Sequence, residues 1–142
     1  MADQDDDESL KKLGCSILAV AGDARVVIAK SPKKDFDSLE TKQQARFIAI
    51  MKGWCVGQKL VPNMFNYNEG RSKKVLLQAF KGFKHRFYGF QTTVGNIKTF
   101  IIVKADLAKK QDKADPIVLG RALEIADEIQ SAIQVETKGK DK

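Results

Sequence analysis

Between residues 71 and 113 the chain interleaves cations with apolar, strand-forming residues: RSKKVLLQAFKGFKHRFYGFQTTVGNIKTFIIVKADLAKKQDK. Side chains alternate across a strand, so such a run buries one face and holds its cations on a stiff support. In the run from Lys84 to Phe90, alternation puts Lys84, Arg86, Tyr88 and Phe90 on one side and His85 and Phe87 on the other. In the run from Lys98 to Lys104, Lys98, Phe100, Ile102 and Lys104 share a side. Paired as meander neighbours, these strands bring Arg86, Tyr88 and Lys104 together. Arginine offers a planar fork for a phosphate, lysine a point charge, and tyrosine a stacking ring with a phenol. Arg71, Lys73 and Lys74 open the same stretch and extend its cationic surface. Cations interleaved with aromatics suit single-stranded RNA. The structural alternative makes Phe87, Phe90 and Phe100 core residues and pairs Arg86 with a carboxylate.

His85 is the one imidazole in the chain, and its ordinary pKa suits proton transfer near neutrality. Alternation points it away from Arg86, and a bulge near Gly82 is required to bring it round. Asp106 follows the last apolar run, where it either orients a base or caps the turn, and Lys109 and Lys110 lie just beyond it. One histidine and two distant cysteines, Cys15 and Cys55, do not make a zinc site, so no metal and no cofactor is expected. The cysteines sit in apolar surroundings and read as reduced, packed thiols.

The net charge is +7, but five acids (Asp3, Asp5, Asp6, Asp7 and Glu8) crowd the first eight residues. The remainder carries thirteen acidic against twenty-five basic side chains, a body suited to a polyanion that its acidic head weakly competes with. No apolar run reaches the roughly 20 residues needed to cross a bilayer, and no secretory leader pattern is present. The expectation is a cytoplasmic protein with no membrane contact.

The elements that must position these groups read as follows. Residues 1–9 form a disordered acidic head, 10–135 a single domain, and 136–142 a disordered basic tail. Two strands flank Gly22-Asp23. Lys30 to Ser38 is a polar connection. Thr41 and Gln44 make a capping box for a helix whose apolar face carries Phe47, Met51 and Trp54, with Trp54 as a core anchor. Gln58 to Gly70 is a loop. Strands follow near 73–80, 84–91 and 97–105, with Gly82 and Gly95-Asn96 in the turns. Asp115-Pro116 starts a last helix that runs to about Val135. The predicted fold class is α+β: about five strands in the order ββ-α-βββ-α, with helices on one face and the other face partly open.

FKGFKHRFYGF followed by TFIIVKADLAKKQDKADPIVLGRALEIADEI resembles the RelE/ParE superfamily of toxins, and within it the HigB-like, phage-associated branch. The resemblance covers about residues 15–133 and is most distinctive in the C-terminal half. It implies a small curved, antiparallel-dominated sheet backed by helices, and metal-independent cleavage of ribosome-bound mRNA by attack of a ribose 2′-oxygen on the adjacent phosphorus. Position by position, it implies that Arg86 holds the scissile phosphate, with Lys84 and Lys81 as basic companions. Tyr88 then stacks a base or positions a proton, and Lys109 and Lys110 match the lysine pair after the last strand. The implied partners are mRNA, the ribosome and a cognate helix-turn-helix antitoxin. The chain departs from the pattern at Val103-Lys104-Ala105-Asp106, where HigB-type nucleases add histidine or tyrosine; chemistry here falls to Lys, Arg, Tyr and Asp106. Two other classes remain: a ParE-like, non-catalytic inhibitor of DNA gyrase, and a phage-derived RNA-binding accessory protein.

Overall fold

In the computed structural model, which describes residues 10–107 and 115–140, the apolar runs form a six-stranded sheet. The elements in chain order are β1 (Ser16–Ala21), β2 (Ala24–Ile28), α1 (Lys30–Asp37), α2 (Thr41–Cys55), β3 (Phe65–Arg71), β4 (Leu76–Gly82), β5 (His85–Val94), β6 (Ile97–Asp106) and α3 (Pro116–Lys140). The strands lie in the order β1-β2-β6-β5-β4-β3. All neighbours are antiparallel except β2 and β6, which run parallel in mid-sheet. The α+β class and the mostly antiparallel sheet match the expectation.

Two parts of that expectation are overturned. The strand count is six, because Phe65–Arg71 forms an edge strand inside the segment read as a loop. Its FNYNEGR sequence alternates only over Phe65-Asn66-Tyr67-Asn68 before Glu69-Gly70 breaks the period, a run too short to outweigh its asparagine and glycine content. The helices also cover both faces. α1 and α2 pack on the side of Val26, Phe80, Phe87, Phe100 and Ile102, contributing Phe36, Phe47, Met51 and Trp54. α3 packs on the opposite side, where Ala122, Ala126, Ile129 and Ile133 meet Val27, Leu77, Tyr88, Phe90 and Ile101. Consecutive buried residues, Phe87 to Phe90 and Phe100 to Val103, are the mark of strands covered on two sides. α3 alone measures roughly 37 Å at 1.5 Å per residue, enough to cross the sheet.

Smaller differences have local causes. α1 occupies the polar connection, with Pro32 in its first turn, where a missing N–H costs nothing, and Phe36 buried. The capping box does not form. Glu40 is the N-cap of α2, and the Gln44 amide donates instead to the carbonyl of Leu39 at 2.9 Å. Asp115 does cap α3, its Oδ1 accepting from Ile117 N at 2.9 Å. That helix runs past Val135 to Lys140. Residues 1–9 and 141–142 lie outside the described residues.

Trp54 is buried as expected, with Lys98 Nζ 4.6 Å above its ring. Cys15 and Cys55 are buried free thiols on opposite faces of the sheet, and burial pushes Cys15 up to about 11. Among the described residues no helix is long and apolar enough to cross a membrane.

Candidate nucleic-acid interface

Of the groups singled out in the sequence, Lys81, Lys84, His85, Arg86, Tyr88, Lys104 and Asp106 gather at one end of the sheet, around the hairpin joining β4 and β5. Backbone register sets who meets whom, since directly paired residues point to the same face. Lys81 pairs with Arg86, and Arg86 with Asp106, giving one row across three strands. The next row is Ala79, Tyr88 and Lys104. Lys104 reaches this face through a bulge: Tyr88 stands opposite Lys104 but Gly89 opposite Ile102, so Val103 is an extra residue of β6. Without it, Lys104 would follow Ile102 toward α1 and α2. Bulges re-aim side chains in this way beside functional sites. Gly89 is required there, because a Cβ would lie 2.2 Å from the Ile101 carbonyl oxygen.

Arg86 is held on this face by Glu69, whose Oε2 lies 3.3 Å from Nη1. Side-chain exposures of 16% for Arg86 and 6% for Glu69 make this a largely buried ion pair. Glu69 gets there because β3 loops out between Asn66 and Gly70. Asn66 Oδ1 accepts from Asn68 N at 3.2 Å and Asn68 Oδ1 from Gly70 N at 3.1 Å, two successive side-chain-closed turns. The Asn66 amide also donates to Glu69 Oε1. The carboxylate alternative for Arg86 is therefore the one realised.

Tyr88 is corrected outright as a base-stacking group: its ring is fully buried beneath α3. Burial, then the Glu69 carboxylate, push its phenol up to about 12, with Asp106 adding to the rise and Arg86 opposing it. Such a rise keeps the phenol protonated around neutral pH, so it does not serve there as a general base.

The β4–β5 turn itself is Phe83-Lys84, with φ of 52° and 67°. Both sit in the left-handed region that two-residue hairpins require and that asparagine and glycine fill at least cost. A bulky or long side chain there costs about 1–2 kcal/mol per residue. The equivalent β5–β6 turn uses Gly95 and Asn96, the residue types suited to it. Lys84 thus belongs to the turn and not to the strand face expected for it, and it is exposed.

A concave pocket of about 320 Å³ wraps this turn, lined by Asn63, Lys81, Gly82, Phe83, Lys84, His85 and Arg86. The β4–β5 register is regular, so no bulge brings His85 to Arg86. They share the pocket because it encloses the hairpin end from both faces. His85 Nε2 lies 3.3 Å from Gln43 Oε1 on α2, and burial lowers its pKa below the usual 6.5, favouring neutral imidazole at pH 7. Neutral imidazole can accept a proton.

The remaining residues separate. Arg71, Lys73 and Lys74 lie beyond the other end of β4, roughly 20 Å along the strand from the pocket. Lys74 Nζ donates to Ser131 Oγ of α3. Lys109 and Lys110 lie outside the described residues. Sequence reasoning missed Glu69, Gln43 and Phe83. The asparagine spacing of NYNEG was the available sign of a folded turn at Glu69; nothing marked Gln43 as a partner of His85. Among the described residues, no three His, Cys, Asp or Glu side chains gather as a metal site.

Compared with protein-family models, curated proteins and solved structures, the chain matches none.

Proposed function

We propose that this chain binds single-stranded RNA at the β4–β5 hairpin and cleaves it without a metal, as the toxin of a cytoplasmic type II toxin–antitoxin system acting on ribosome-bound mRNA. The RelE-like fold and an antitoxin that covers the cationic end of the sheet belong to the same reading. One observation carries it: three cations, Lys81, Lys84 and Arg86, share a pocket of about 320 Å³ with the imidazole of His85. In the proposed reaction His85 takes the proton of a ribose 2′-OH and the oxygen attacks the adjacent phosphorus. The P–O5′ bond breaks, a lysine protonates the departing 5′-oxygen, and a 2′,3′-cyclic phosphate remains. Lys81, Lys84 and Arg86 stabilise the charge that accumulates on the phosphorane oxygens.

A second reading, RNA binding without cleavage, is favoured by the Glu69 carboxylate on Arg86, which occupies part of the fork a phosphate would use. The two separate in one experiment. Pure protein is incubated with single-stranded RNA in excess EDTA and, separately, with mRNA-programmed ribosomes in magnesium, and both sets of products are assayed for 2′,3′-cyclic ends. Cyclic ends, abolished by His85→Gln and Arg86→Ala in folded variants, support cleavage. Intact RNA bound with a salt slope that falls by about 1 in Lys81→Ala supports binding alone. No binding refutes both.

A further inference from the structure

We infer that Phe83 is the base-stacking platform of this site, stacking one nucleobase of single-stranded RNA while the neighbouring cations hold its phosphates; this rests on the RNA reading above. The hairpin tip is the one place in the pocket where an aromatic ring stands in solvent: Phe83 is 48% exposed. Its ring also packs on the molecule, in a T-shaped contact with Phe47 of α2 at a centroid distance of 6.3 Å. A ring with one such contact and half its surface in water keeps room for a base, and stacking there tolerates any base identity. Tyr88, the aromatic that the sequence offered for this task, is buried. Tyr67, the other exposed aromatic among the described residues, lies against Phe65 at 4.8 Å and does not line the pocket.

Backbone conformation supplies an independent argument. Folding alone favours asparagine or glycine at position 83, since φ is 52° there and the side chain is half in water. A bulky apolar residue kept where it is conformationally unfavourable and poorly buried marks a position whose side chain serves something other than the fold. Lys84, also left-handed at 67°, puts a cation on the next residue of the turn, lining the same pocket. The pair Phe83-Lys84 thus presents a stacking face and a phosphate contact from two adjacent residues.

The test sets stability against binding. Phe83→Asn and Phe83→Trp are compared with the parent chain for thermal midpoint and for affinity, by fluorescence anisotropy, to a 2′-O-methyl hexanucleotide that cannot be cut. The same backbone carrying abasic sites is the second ligand. Phe83→Asn is expected to melt at an equal or higher temperature while binding the intact oligonucleotide about 10-fold more weakly. Its affinity for the abasic backbone is expected to equal the parent's, and Phe83→Trp to retain full affinity for both. Equal binding of the intact oligonucleotide by Phe83→Asn overturns the assignment, as does an equal loss on the abasic backbone, which would make the ring a hairpin support only. A parent chain that binds neither ligand removes this inference together with the RNA reading. If Lys81→Ala weakens binding and Phe83→Asn does not, only the stacking assignment falls.

Discussion

Replacing Glu69 by glutamine isolates the electrostatics of the site, because the side chain keeps its shape and an oxygen for the Asn66 amide while losing its charge. At 3.3 Å and an effective dielectric of about 20, the attraction between Glu69 and Arg86 is about 5 kcal/mol. Both groups have given up most of their hydration, at several kcal/mol per ion, so the intact pair is worth little net. The variant keeps the cost of half-burying Arg86 without the attraction. Arg86 retains some water contact at 16% exposure, which limits the expected loss to about 1–3 kcal/mol. For a domain of this size that lowers the thermal midpoint by about 3 °C per kcal/mol. The Tyr88 phenol reports the same change independently. Glu69 is the leading charge raising it toward 12, so its neutralisation moves the titration down. Read in a Tyr67→Phe background, Tyr88 is the chain's one tyrosinate chromophore. RNA affinity should rise as Arg86 loses an internal competitor. An unchanged Tyr88 titration with unchanged affinity would refute the claim that this carboxylate restrains Arg86.

Two further outcomes follow from the geometry. Because the folded pKa of His85 lies below its unfolded value of 6.5, the unfolded chain binds more protons in that window. Its contribution to stability is complete above about pH 6.5 and is lost as pH falls toward the folded pKa. Denaturation midpoints between pH 7 and 5 should therefore fall less steeply in His85→Gln, and an identical slope would place the loss elsewhere. Gly89→Ala should cost about 3 kcal/mol or more in chemical denaturation, because the new methyl meets the Ile101 carbonyl oxygen at 2.2 Å and the Phe100 ring at 2.5 Å. A near-neutral result would show that the strands can separate locally at the bulge.

The strands with strong apolar content were legible from composition and period alone, as was Asp115 at the start of α3. What stayed hidden depended on partners distant in sequence. The Phe87–Phe90 run carries Tyr88 between apolar residues, which reads equally as a one-sided or a two-sided strand; α3 decides it by covering the second face. Lys104 was expected to converge with Tyr88, and it does, but through an inserted Val103 that strict alternation cannot anticipate. Glu69 was invisible as a partner of Arg86 because its segment has the composition of a loop and folds by asparagine turns on a sheet edge. His85 reaches the cations around the hairpin end, a route that reasoning by strand faces does not contain.

The parallel seam between β2 and β6 has a temporal consequence. Arg25 and Thr99, bonded across it, are 74 positions apart, so the β1–β2 hairpin meets α1 and α2 early but has no neighbouring strand until β6 has been made. A hairpin alone is marginal in water, and closing so long a loop is slow relative to local steps. Lys104 and Asp106 arrive with the same late strand that docks β2. A nascent chain lacking β6 therefore carries the β4–β5 turn without Lys104 and Asp106, the third-strand members of its two rows.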